Sequence, residues 1–201
     1  MNTKLFGEAF ITLFVIMDPP GTVPLFLALT SGRSKRDRRK LAAQAAVVSF
    51  AVITCFALFG HQILDYLGIS VPALEGSGGL LLLLIALELL TGKSDEPTES
   101  ADVNVAMVPL GTPLLAGPGA IVAVILFVQR IHSAGDFLAV ALAIVAMHIV
   151  IWLTMRFSVN VMRVIKESGV TLVTRIAGLL LSAIAVQMVA DAVIAFAKSA
   201  G

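Results

Sequence analysis

Charge is scarce in this sequence, and so is cysteine. Only 13% of the 201 residues are Asp, Glu, Lys or Arg, about half the share usual in soluble domains. A net charge of +1 gives no grip on a polyanion, so no nucleic-acid partner is expected. Cys55 stands alone, so no internal disulfide staples the chain. No His and acid cluster has metal-ligand spacing, no phosphate-binding loop follows a strand, and no nucleophile sits with a base. Neither an enzyme nor a resident cofactor is therefore expected. Gly76-Ser77-Gly78-Gly79 is glycine-rich, but it opens an apolar helix and reads as a close helix contact.

What is abundant is apolar. The hydrophobic share is 58%, above the roughly 45–50% of soluble proteins even before glycine is added. That composition excludes disorder, and a chain this short cannot hide so much apolar surface from water. An all-α polytopic membrane protein remains, with the lipid bilayer as its solvent. Three stretches carry no Asp, Glu, Lys or Arg: Leu41–Leu64, Val103–Gln129 and Phe137–Met155. Three more carry one or two acids: Leu5–Leu29, Val71–Thr91 and Thr174–Ala197. Each is long enough to cross ~30 Å of hydrocarbon as a helix. Six spans fill residues 1–201 as a single transmembrane domain.

Basic residues orient these spans. Arg33, Lys35, Arg36, Arg38, Arg39 and Lys40 lie in the first loop, Lys93 in the third, and Arg156, Arg163, Lys166 and Arg175 in the fifth. Odd loops are thus expected in the cytoplasm and both termini outside. The N-terminus has Lys4 and a short apolar run, but Asp18-Pro19-Pro20 stands where a signal peptide would have small residues. It is expected to stay as the first span.

Two spans are interrupted. The first contains Asp18-Pro19-Pro20-Gly21-Thr22-Val23-Pro24, and the fourth contains Gly117-Pro118-Gly119-Ala120. Proline removes a donor and clashes with the preceding turn. In lipid, the freed carbonyls must find protein, water or a ligand. Gly21 and Gly119 lie 98 residues apart. The third and sixth spans also align, Gly79-Leu80-Leu81-Leu82 with Gly178-Leu179-Leu180-Leu181, at an offset of 99. Residues 1–100 and 104–201 therefore read as three-span repeats, and an odd span number inverts the second copy. Paired interrupted helices in inverted repeats mark the midplane site of secondary transporters.

The breaks suggest their guest. A half-helix starting after Pro20 or Pro118 presents unpartnered N–H groups and a partial positive charge, which suit a carboxylate. Gly21 and Gly119 allow close approach. Asp18 adds the opposite sign, and an acid at mid-membrane costs ~2.5–3.5 kcal/mol or more. It can hold an ammonium group, bind a proton or cation, or only cap the second half-helix. A zwitterion satisfies both signs. The expected substrate contacts are Asp18, Pro19, Pro20, Gly21, Thr22, Gly117, Pro118, Gly119, Ala120 and Gln187. Coupling-ion candidates, for a proton or sodium, are Asp18, Glu88 and Asp191. Gln187 and Asp191 share a helix face.

Three stretches carry a family resemblance: Met17-Asp18-Pro19-Pro20-Gly21-Thr22-Val23-Pro24-Leu25-Phe26-Leu27-Ala28-Leu29-Thr30, then Thr112-Pro113-Leu114-Leu115-Ala116-Gly117-Pro118-Gly119-Ala120-Ile121, then Arg175-Ile176-Ala177-Gly178-Leu179-Leu180-Leu181-Ser182-Ala183-Ile184-Ala185-Val186-Gln187-Met188. At these residues the chain resembles the MarC family, also called the small neutral amino acid transporter (SnatA-like) family. The resemblance implies transport of small neutral amino acids such as glycine or alanine across a bacterial or archaeal cytoplasmic (inner) membrane. The family commonly has Asn where this chain has Thr22, a position that bears on selectivity. A channel or an exporter for other small solutes is the alternative. The oligomeric state is not legible.

Overall fold

A computed structural model describes residues 2–92 and 115–200. The chain forms helices α1 (Thr3–Met17), α2 (Pro19–Leu29), α3 (Lys35–Leu67), α4 (Val71–Thr91), α5 (Pro118–Gln129), α6 (Ala134–Arg156) and α7 (Ser158–Ala200). No strand occurs among the described residues. Short polar caps punctuate the apolar runs. Ser34 accepts the Asp37 amide at 3.2 Å to start α3, and Ser133 accepts the Asp136 amide at 3.2 Å to start α6. Gly68 and Gly92 end α3 and α4 in the left-handed conformation, which glycine adopts without a Cβ clash.

Among the described residues, five helical segments are long and apolar enough to cross a membrane, and α5 is shorter. The first of them joins α1 and α2. At 1.5 Å per residue, α1 reaches about 22 Å and α2 about 16 Å, so each alone falls short of the ~30 Å hydrocarbon layer. The interruption at Asp18 is thus internal to a crossing segment. The expected fourth span, Val103–Gln129, is described only from Leu115 onward. Its residues 103–114 lie outside the described residues, as do the third loop and Thr112-Pro113. The basic stretch expected as a fifth loop is instead helical, because α7 starts at Ser158. Lys166 interrupts it with φ 59° and ψ 169°. A helix that leaves the bilayer can carry Arg and Lys at no desolvation cost.

Two apolar clusters hold the helices. The larger joins Leu13 and Met17 of α1, Ala45 and Ile53 of α3, Ala120 and Val124 of α5, and Met147 and Ile151 of α6. The smaller joins Val15 with Leu82 and Ala86 of α4 and Leu181 and Ala185 of α7. Large apolar side chains also cover the outside, among them Leu80, Leu84, Leu87, Ile176, Leu179 and Leu180. Helices apolar on every side belong in lipid.

Helices α4 and α7 run antiparallel along each other. A methyl on Gly79 would lie 2.8 Å from the Ala185 carbonyl oxygen, and one on Gly178 would lie 3.2 Å from the Ala86 carbonyl oxygen. Each glycine lets the facing backbone approach. Between α3 and α6, Ser49 Oγ lies 3.2 Å from His148 Nε2. His148 Nδ1 donates to the Ile144 carbonyl at 2.8 Å, so in the neutral ring Nε2 accepts from the Ser49 hydroxyl.

The 2.8 Å clearance predicts that Gly79→Ala destabilises the protein by about 1–3 kcal/mol, and more than Gly178→Ala. Unfolding of both variants in detergent measures this. Wild-type stability of Gly79→Ala would contradict the close α4–α7 contact.

Candidate functional site

Asp18 forms the joint between α1 and α2. Its φ of 37° and ψ of 70° are left-handed, a conformation that Asp tolerates better than most residues. The residue serves both helices. Its amide donates to the Phe14 carbonyl at 3.1 Å and closes α1. Its carbonyl accepts the Thr22 amide at 3.0 Å, and its Oδ1 accepts the Gly21 amide at 3.2 Å, opening α2. Pro19 and Pro20 supply no N–H, so the carbonyls of Val15 and Ile16 lose the donors an unbroken helix would give them. The Met17 carbonyl instead accepts the Thr22 hydroxyl at 3.3 Å. That hydroxyl also donates to the Asp18 carbonyl at 3.0 Å.

These bonds revise the expected roles of Gly21 and Thr22. Both amides and the Thr22 hydroxyl serve the joint itself, which leaves them no donor for a guest. The open group is the other carboxylate oxygen. Asp18 is 7% exposed, and its Oδ2 is buried without a hydrogen bond. The Thr174 hydroxyl of α7 faces it, yet Thr174 Oγ1 is also buried and closes no well-formed hydrogen bond. Both atoms crowd Gly21. A methyl there would collide with Asp18 Oδ2 and lie 3.0 Å from Thr174 Oγ1. No cation pairs with Asp18 among the described residues.

The start of α5 lies beside the end of α1. Gly117 precedes α5 in an extended conformation and brings no side chain to cap it. Pro118 occupies the first helical position, and the Gly119 and Ala120 amides follow in the first turn, where no helical carbonyl reaches them. A methyl on Gly119 would collide with Leu82 Cδ2 and lie 3.5 Å from Ile16 Cγ2. The start of α5 therefore sits against the last turn of α1. Asp18, Pro19, Gly119 and Ala120 are buried, Pro20, Gly21 and Gly117 partly so, and Pro118 is exposed.

The remaining expected residues lie elsewhere. Gln187 Nε2 donates to Asp191 Oδ1 at 2.8 Å on an exposed face of α7. Glu88 is exposed near the end of α4. Two residues escaped the sequence reading. Thr174 is one, and Glu75 of α4, which interacts electrostatically with Asp191, is the other. They are 99 residues apart. Extending the third-span and sixth-span alignment by one turn toward the N-terminus would have paired them. A separate surface cleft of about 190 Å³ opens at the start of α1, lined by Asn2, Glu8, Arg130 and Asp136 among others. There Arg130 bonds Glu8 at 2.7 Å and Asn2 bonds Asp136 at 2.8 Å.

The model of the MarC family integral membrane proteins matches residues 3–196. The chain belongs to the MarC family. It is similar to a UPF0056 membrane protein of Methanocaldococcus jannaschii, 36% identical over 200 residues that cover 96% of this chain and 98% of the relative. The UPF0056 membrane protein YvbG of Bacillus subtilis is 33% identical over 191 residues, 90% of each chain. YhcE of Escherichia coli is 32% identical over 194 residues, covering 92% and 90%. No solved structure matches. Family and helices together make this a multi-pass integral membrane protein.

The two jobs of Asp18, charge and cap, separate by substitution. Asp18→Asn keeps a side-chain cap and a residue tolerant of the left-handed backbone. Asp18→Ala loses both and is expected to cost about 0.5–2 kcal/mol. Thermal unfolding of the two variants in detergent decides it. Equal stability of Asp18→Ala and wild type would contradict the capping role.

Proposed function

We propose that this MarC-family protein is a secondary transporter of small neutral amino acids such as glycine or alanine. The observation that carries the reading is the buried Asp18 carboxylate, without a cation partner among the described residues, at the joint of α1 and α2. A buried charge needs a partner, and the ammonium group of an amino acid supplies one. The first turn of α5, with the Gly119 and Ala120 amides and no side-chain cap from Gly117, supplies donors and a positive dipole end for the carboxylate. The two sites adjoin, so one short zwitterion can reach both.

An inverted pair of three-helix repeats is part of the same proposal. Its support is a set of contacts that recur at one offset. Gly79 faces Ala185 as Gly178 faces Ala86, and both pairs are related by 99. Ser49 and His148, also 99 apart, touch each other, as residues on a pseudo-two-fold axis do. Helix α2 packs on α7 as α5 packs on α4, and α3 on α5 as α6 on α2. The caps Ser34 and Asp37 match Ser133 and Asp136 at the same offset. Rocking of such repeats around a central site gives alternating access. An inner-membrane location with both termini outside follows the distribution of basic residues.

Uptake of labelled glycine into vesicles containing the purified protein tests the reading. Saturable uptake is expected, competed by alanine and not by large amino acids. Asp18→Ala is expected to lower it at least about tenfold, the effect of losing one charged contact. Uptake that rises linearly with concentration, or is unchanged in Asp18→Ala, would overturn the proposal.

A further inference from the structure

We infer that Asp18 and Thr174 together form a site for a small monovalent cation, bound across the two halves of the chain. The inference rests on reading the broken first helix as the substrate site, and it adds Thr174 as a ligand residue.

Four observations converge. Asp18 Oδ2 is buried and unbonded while Oδ1 is held by the Gly21 amide. Thr174 Oγ1, equally buried, comes from α7 and faces it as a polar partner, without closing a well-formed hydrogen bond. Gly21 is the wall between them, and it has no side chain to fill the gap. Finally, the last turn of α1 ends here, with the Val15 and Ile16 carbonyls deprived of donors by Pro19 and Pro20. A helix C-terminus carries partial negative charge and favours a cation. Carboxylate, hydroxyl and freed carbonyls are all hard oxygen donors. Unwound carbonyls and half-helix C-terminal ends are the usual sodium ligands of transporters built on broken helices.

A single positive charge matches the single acid, so a monovalent cation balances the site and a divalent one does not. Two sources offer that chemistry, a sodium ion or the ammonium group of the substrate. Either would draw α7 toward the α1–α2 joint. Binding would thereby fix one half of the chain against the other.

The test uses the purified full-length protein in detergent, titrated with sodium chloride against choline chloride at constant ionic strength, without amino acid. Saturable sodium binding is expected. Thr174→Val, which keeps the shape and removes the oxygen, is expected to weaken it about tenfold or more, and Thr174→Ser to restore it. Asp18→Asn is expected to weaken it as well. The same variants are then titrated with glycine in choline chloride. Loss confined to the glycine titration assigns the site to the ammonium group and still supports it. Sodium binding that depends on Thr174, with no glycine binding at all, supports the site and overturns the amino acid reading. Unchanged affinity for both ligands in a correctly folded Thr174→Val variant overturns the inference.

Discussion

A backbone that stops being helical inside an apolar layer must satisfy its own polar groups, and this protein does so at Asp18. One residue closes α1 with its amide, opens α2 with its carbonyl and caps α2 with Oδ1. The Thr22 hydroxyl covers the carbonyl of Met17. After those bonds, a buried carboxylate oxygen and the proline-orphaned carbonyls remain. The surrounding packing keeps water scarce there. Asp18 is buried, and so are its neighbours Met17 and Pro19. A polar remainder in such a place is costly unless something binds it, and that cost carries the functional argument.

The rest of the architecture brings partners to that joint. Helix α7 delivers Thr174 because it lies along both α4 and α2. Its closeness to α4 depends on Gly79 and Gly178, each pressed against a carbonyl of the opposite helix. Helix α5 brings its first turn there, with Gly119 set between Leu82 and Ile16. The offset of 99 that relates these contacts also pairs Asp18 with Gly117 and Thr174 with Glu75. In the proposed repeat, the halves are alike in frame and different in chemistry. One break carries an acid and meets a hydroxyl. The equivalent positions in the other half carry a glycine on the break and an acid on the facing helix.

Local chemistry was legible and placement was not. Asp18-Pro19-Pro20 announces a break because proline cannot donate and aspartate tolerates the left-handed backbone. The structure adds the caps Asn2, Ser34, Ser70 and Ser133, which hydropathy alone does not mark. Glu88, Gln187 and Asp191 stand out as polar groups in spans, with Gln187 at the repeat position of Glu88 and one turn from Asp191, and neither signal says which way a helix faces. Gln187 and Asp191 bond each other on the outside of α7. Thr174 gave no local signal, since a threonine next to Arg175 looks like any cytoplasmic helix end. Only tertiary packing turns its hydroxyl toward Asp18. The length of α7 was hidden for a related reason, because its basic first turns look like a loop when only hydropathy is followed.

Counterflow tests the central claim, a carrier working around one closed site. Vesicles containing the protein are loaded with unlabelled glycine and diluted into a trace of labelled glycine. A carrier exchanges one for the other, so label should accumulate transiently above its equilibrium level and then decline. Label that rises smoothly to equilibrium with no overshoot, at a rate indifferent to internal glycine, would contradict the account.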